Sequence, residues 1–184
     1  EMAKVRGTRY NTGDGIRMAL DIGAQAYAQW SGCHSVSWER HAPDFGDLER
    51  PITLSRNGYP FSIMVNAEGK RFVDEGADFR NYTYAKYGRV VLEQPGSYAW
   101  HIFDSQVDHL LHEEYRSRGT TKVVANTLEE LVARMEDVHP GQFLETVRAF
   151  NSAVKREAAF NPNIKDGKCT TGLAINKSNW ANPI

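Results

Sequence analysis

Long apolar runs are missing from this chain. Nowhere in its 184 residues does an uninterrupted hydrophobic stretch approach the roughly 20 residues of a membrane-spanning helix. Cysteine is scarce as well. Cys33 and Cys169 are the only two, and they form neither a CxxC pair nor a metal-ligand spacing. Two free thiols in a reduced, cytoplasmic setting are expected, with a Cys33–Cys169 bridge as the alternative. Charge of either sign has no excess: Lys+Arg 22 against Asp+Glu 23 leaves −1, which argues against a general nucleic-acid binder. No GxGxxG follows a strand-like run, so the chain is not expected to carry a dinucleotide-binding core of its own. The opening EMAKVRGTRYNTGDG has no apolar segment of the signal-peptide kind, and no internal repeat or low-complexity tract is present.

What remains is ordinary globular composition. Hydrophobic residues make up 41% and charged residues 24%, enough for one domain with a real core, with or without extensions. The stretch 63–80, IMVNAEGKRFVDEGADFR, organises the reading. It predicts a hairpin: runs at 61–65 and 71–73 flank Asn66-Ala67-Glu68-Gly69, where Gly69 can take the positive φ of a tight loop. Arg80 follows just past two acidic residues, as a group projected from that hairpin. An ordinary surface hairpin with a solvated charged end is the alternative.

Along the rest of the chain, Ile16, Ala19, Leu20 and Gly23 recur at helical spacing behind Thr12-Gly13-Asp14-Gly15, with Thr12 or Asp14 as cap. Residues 26–39 read as extended and 40–60 as a long irregular loop. Helices are expected at 81–94, stopped by Pro95-Gly96, and at 106–118, with strands at 98–103 and 122–125. Thr127 and Glu130 form a capping box, and Pro140 opens a last helix through Val154. From Phe160 on, the chain is punctuated by Asn, Gly and Pro and reads as loop. The pattern is α+β.

Several residue groups could carry chemistry. His34 stands in Ser31-Gly32-Cys33-His34-Ser35, where small neighbours let a ligand approach; a plain surface histidine is the alternative. Arg40, His41, Arg50 and Arg56 concentrate donors suited to gripping carboxylates, unless Glu39, Asp44, Asp47 and Glu49 neutralise them locally. The Gly-rich turn 12–15 offers backbone N–H groups to an anion, though such turns are common. His109 and His112, three apart, read as a solvated face with Leu110 and Leu111 turned inward rather than as a metal site. His101 and His139 read as structural.

The phrases RYNTGDGIRMALDIGAQ, VNAEGKRFVDE, FVDEGADFRNYTYAKYGR, FLETVRAFN and INKSNWANP, in this order, resemble the fumarate reductase/succinate dehydrogenase flavoprotein family, and within it the tricarballylate dehydrogenase branch, which includes the flavoprotein half of a precorrin-3B synthase. The resemblance implies a substrate-capping domain inserted in a discontinuous FAD-binding domain. Residues 1–25 would be the entry helix at the FAD-domain junction, 26–160 the cap, and 161–184 the segment returning to an FAD domain that lies outside this chain. It further implies that Thr12, Gly13, Asp14 and Gly15 touch FAD and that His34 binds a substrate carboxylate. Arg56 and Arg50 would join His34 in clamping the substrate, and Arg80 would exchange a proton with a substrate carbon. The implied function is the capping part of an FAD-dependent dehydrogenase acting on CH–CH bonds of a small polycarboxylate, inactive alone and served by an electron-accepting protein. Fumarate reduction, or a non-catalytic carboxylate-binding or interaction module, are the competing readings. Three departures stand against a simple transfer. Thr53 occupies the position of the family's relay glutamate, His34 lacks the following proline, and Arg80 comes one residue late. If Arg80 is electrostatic only, a tyrosine such as Tyr82 or Tyr84 is expected to move the proton.

Overall fold

The computed structural model describes residues 3–46 and 54–184. Its centre is a short antiparallel pair, β1 (Ile63–Val65) against β2 (Trp100–Ile102), with Ile63 opposite Ile102, Met64 opposite His101 and Val65 opposite Trp100. The two-residue period of a strand sends Ile63 and Val65 to one face and Met64 to the other. All three are fully buried.

On the first face lie α3 (Leu128–Arg134) and α4 (Pro140–Ala153). Phe143, Val147 and Phe150, spaced four and three, form the stripe of α4 that packs on Ile63, Val65, Ile102, Val132 and Met135. Each such side chain contributes about 1.5–3 kcal/mol on burial. On the second face, Met64 meets Tyr59, Val73 and Tyr87, the last from α2 (Arg80–Leu92). The expected α+β character is what the elements make: a two-stranded sheet between helices.

Caps follow the sequence in part. Thr127 Oγ1 accepts from the Glu130 N–H at 3.2 Å, as the capping box requires, and Pro140 opens α4. His139, ahead of that proline, accepts from the Gln142 N–H through Nδ1 at 3.1 Å, which makes it a structural cap. At α1 (Asp14–Asp21) the cap is Gly13, held at φ 88°, and neither Thr12 nor Asp14 caps through its side chain. The chain leaves that helix through Gly23 at φ 93°.

Four expectations are corrected. The hairpin forms its turn, with Gly69 at φ 78°, but only an isolated bridge between Val65 and Arg71 follows it. The reason is Glu75, whose carboxylate takes the Met64 N–H at 2.7 Å and so occupies the place of a second strand. Residues 106–118 form two 3₁₀ turns, Ser105–Leu110 and Glu113–Tyr115, because the Arg116 guanidinium takes the Asp108 and Leu111 carbonyls that an α-helix would have used. Residues 122–125 form no strand; nearby, Thr121 gives its N–H and hydroxyl to Glu39. Residues 26–39 hold one bridge, Trp38 to Ser55, rather than a strand.

The C-terminal stretch, irregular as expected, is part of the interior. Lys177, Asn179, Trp180, Ala181 and Asn182 are buried. Arg71 and Glu75 form a buried ion pair at 2.5 Å, and Arg71 also donates to the Ile175 carbonyl at 2.7 Å. Lys177 Nζ donates to the Ser62 carbonyl at 2.7 Å. Burial pulls the Lys177 amine down to about 8, with Glu75 opposing that shift. Among the described residues, no helix is long and apolar enough to cross a membrane.

Candidate functional site

The site is built on α2. Arg80, Tyr84 and Gly88 follow one another at intervals of four and therefore share one face. The face carries three different jobs. At Gly88 a Cβ would come within 2.5 Å of the Ser35 carbonyl carbon and 2.6 Å of the Val36 nitrogen, so only glycine lets the 34–36 backbone lie against the helix. With that backbone seated, the His34 ring meets Tyr84. Its Nε2 is 2.9 Å from the Tyr84 hydroxyl, and the rings stand edge to face with centroids 5.0 Å apart.

Arg80 is the first residue of α2, not a group on a hairpin arm. Its backbone carbonyl accepts from the Tyr59 hydroxyl at 3.2 Å, and its Nε lies 3.4 Å from Asn81 Oδ1. Among the described residues no carboxylate pairs with its guanidinium, which leaves its terminal nitrogens for an external anion. Beneath it, Tyr59 is bonded to Thr83 Oγ1 at 2.6 Å. Burial pushes the Tyr59 hydroxyl up to about 12, against the Thr83 bond and the Arg80 charge. Tyr59 therefore stays protonated and serves as a fixed support. Tyr82 is exposed and without such a neighbour on the stripe.

Arg56 has a different environment. It is buried, with Nη2 on Glu39 at 2.6 Å and on Thr120 Oγ1 at 3.2 Å, and Nη1 on the Ser55 and Glu114 carbonyls, each at 3.1 Å. Burial raises the Glu39 carboxyl, but Thr121 and Arg56 outweigh this and hold it below the usual range. Arg40 pairs with Asp137 at 2.6 Å and stacks on Tyr98, and His41 pairs with Glu136 at 3.0 Å. Most of the neutralising partners thus come from distant parts of the chain, not from the neighbouring acids. Arg50 and Thr53 lie outside the described residues.

His34 and Arg56 both line a cleft of about 930 Å³, whose other walls include Glu39, Tyr98 and His101. Arg80 does not line it. His101 is held in β2 with Nδ1 buried and without a hydrogen-bond partner among the described residues, as is the Ser37 hydroxyl. Burial, helped by the Arg56 charge, brings His101 down to about 4, so the ring is neutral at pH 7.

The turn 12–15 sits elsewhere, on a segment that is mostly exposed, with Gly13 half-buried. Asp14 accepts from Thr12 Oγ1 at 3.0 Å and pairs with Arg17 at 2.9 Å. Tyr10, Ile16, Met18, Ile22, Tyr27 and Trp30 are all exposed. His109 and His112 are exposed and belong to separate turns. Cys33 and Cys169 are free. Sequence reading named His34, Arg80 and Tyr84, and gave Glu39 among the acids that could neutralise Arg56, but missed Gly88. A glycine inside an otherwise sound helix was the available signal for it.

Chemically, then, the fold joins an imidazole, a phenol and a guanidinium on one helix face, a set of donors that can hold a carboxylate and carry a proton. Proteins with related sequences are oxidoreductases. The chain is 30% identical over 160 residues to a 3-oxosteroid 1-dehydrogenase of Mycolicibacterium smegmatis, covering 79% of this chain and 27% of that protein. It is 30% identical over 155 residues to a 4-oxocyclohexanecarboxylate 2-dehydrogenase of Sinomonas cyclohexanicum, covering 77% and 26%. It is 37% identical over 97 residues to a fumarate reductase (cytochrome) of Shewanella frigidimarina, covering 50% and 15%. These relatives support the flavoprotein resemblance read from the sequence. The chain spans about a quarter or less of the length of the curated relatives it matches. No family model matches it.

Proposed function

We propose that this chain is the substrate-capping part of an FAD-dependent oxidoreductase that removes hydrogen from adjacent carbons of a small polycarboxylate such as tricarballylate. The observation that carries the reading is the α2 stripe, which sets His34 against Tyr84 one helical turn from an Arg80 unpaired among the described residues. Residues 1–25 and 161–184 are the two connections to an FAD-binding domain, and 26–160 the cap between them. A separate electron acceptor reoxidises the whole.

The residues present fit FAD only at its edge. Gly13 takes φ 88° at the start of α1, and a Cβ at Gly13 or Gly15 would meet nothing within 4 Å. An anionic or polar rim of the cofactor can approach there, with Thr12 and Asp14 beside it. When bound, FAD supplies the hydride acceptor. The chain's own residues do the rest. His34 grips one carboxylate and is kept in orientation by Tyr84. Arg80 holds a second carboxylate and stabilises charge that builds beside it. Proton transfer at the neighbouring carbon falls to Arg80 Nη in a closed, dry site, or to the Tyr84 hydroxyl. Arg56, satisfied by Glu39, forms part of the cleft wall and is a fixed support rather than a direct grip.

The reading is tested by carboxylate protection. Tricarballylate should slow carbethoxylation of His34 and phenylglyoxal modification of Arg80 together, while acetate should not. Protection of neither residue removes the polycarboxylate reading.

A further inference from the structure

The turn that delivers Arg80 is held from outside by the C-terminal segment. Residues 74–79 meet it at four successive points. Asp74 Oδ1 accepts from the Gly76 N–H at 3.0 Å and from the Ser178 N–H at 2.9 Å, and Asp74 Oδ2 takes the Ser178 hydroxyl at 2.5 Å. Asn179 Nδ2 donates to the Gly76 carbonyl at 2.8 Å, while its Oδ1 accepts from the Gly167 N–H at 2.9 Å. The approach is so close that a Cβ on Gly76 would come within 2.2 Å of the Asn179 carbonyl oxygen. Lys165 pairs with Asp78 at 3.4 Å, and the Phe79 ring, on the residue capping α2, lies 5.5 Å from the Trp180 ring.

The segment is itself fixed. Asp166 Oδ1 accepts from the Lys168 and Trp180 N–H groups, each at 2.9 Å, and the Trp180 indole donates to the Asn161 and Ile164 carbonyls. Below, Lys177 is anchored on Ser62 and Arg71 on Ile175. By contrast, no side chain caps α2, and Phe79 offers only an apolar ring at that position. A helix start without a cap takes its position from what packs around it.

We propose that Ser178 and Asn179 are positioning residues for Arg80: the C-terminal segment fixes the 74–79 turn and thereby the place and orientation of the first turn of α2. What Arg80 does there rests on the function proposed above; where it sits does not. A displacement of Ser178 and Asn179 is then transmitted to the start of α2 through short hydrogen bonds to Asp74 and Gly76.

The experiment uses Ser178→Ala, Ser178→Thr, Asn179→Asp and the double variant Ser178→Ala/Asn179→Asp. Ser178 is exposed, and Asp at 179 keeps the acceptor for Gly167 while removing the donor to Gly76. In hydrogen exchange, amides at 76–77 and 82–84 of the double variant should exchange about tenfold faster, with those of α4 unchanged. Phenylglyoxal should modify Arg80 faster in the double variant, and Ser178→Thr should match the wild type in both measurements. Unchanged exchange at 76–84 overturns the proposal, as does acceleration spread evenly over the chain. In a longer protein carrying this chain, the double variant should lower kcat with KM retained, with Ser178→Thr again restoring it. Faster exchange with unaltered kcat also overturns it where Arg80→Lys lowers kcat, and counts against the proposed role of Arg80 where it does not. Absence of any polycarboxylate turnover in the wild type counts against the proposed function instead, and the exchange and modification results then decide the positioning.

Discussion

Replacing Gly88 with Ala separates the two demands that meet on α2. In an isolated helix the change should stabilise by about 1 kcal/mol, because alanine is the better helix former. In this fold the new methyl would stand 2.5 Å from the Ser35 carbonyl carbon and 2.6 Å from both the Ser35 oxygen and the Val36 nitrogen. All three are backbone atoms, so no side-chain rotation relieves the clash. Restoring contact near 3.4 Å requires the 34–36 segment to move by about 1 Å, and overpacking of this kind costs about 1–3 kcal/mol. A shift of that size carries the His34 Nε2–Tyr84 contact from 2.9 Å to beyond hydrogen-bonding range. The net expectation is a stability change between about zero and 2 kcal/mol unfavourable by urea unfolding, with faster carbethoxylation of His34. A variant stabilised by about 1 kcal/mol, with His34 reactivity unchanged, would refute the seating of this segment by Gly88.

Two further outcomes concern buried charges. Glu75→Ala leaves Arg71 buried and unpaired and removes the acceptor for the Met64 N–H, so it should cost about 3–5 kcal/mol in urea unfolding. Glu75→Gln, which keeps that acceptor, should cost less, and a loss below about 1 kcal/mol for the alanine variant contradicts the role given to the pair. On acidification, His101 has a folded value near 4 against an ordinary 6.5, so the unfolded chain binds more protons between these limits. Stability should therefore fall as the pH drops through that window, by about 3 kcal/mol when it is fully crossed. Glu39, held below its ordinary range, adds a loss at still lower pH, as the native carboxylate takes up its proton. His101→Asn should flatten the upper part of the profile and leave the lower part, and an unaltered slope between pH 6.5 and 4 would rule out His101 as its source.

Local signals made the helices legible, apart from 106–118, which forms 3₁₀ turns, and left the pairing of strands obscure. The Thr127 cap, the Pro140 start and the 143/147/150 stripe each depend on residues within one or two turns, and each formed. The hairpin failed because its alternation at 71–73 competes with Arg71 turning inward to Glu75, a contact that hydrophobic pattern does not encode. The C-terminal segment looked like loop because its interactions are Asx-type side-chain bonds and a single buried tryptophan, none of them periodic. At the site, His34 and Arg80 were readable by resemblance. That Tyr84 joins them follows from the interval of four, but only Gly88 brings the 34–36 backbone close enough to use it. The donors of 40–56 illustrate the opposite case: residue type suggested an open cluster, while the long-range acids Asp137 and Glu136 occupy Arg40 and His41.

The most direct measurement is tricarballylate-dependent dye reduction by a longer protein that contains this chain with an FAD-binding domain, compared between wild type and Arg80→Lys. Lysine keeps the positive charge but loses the two-pronged geometry and the length of a guanidinium. Turnover in the wild type with a fall of about a hundredfold or more in kcat for Arg80→Lys is the expected result. Undiminished kcat in that variant would remove Arg80 from the chemistry, and the α2 stripe would no longer mark the active face.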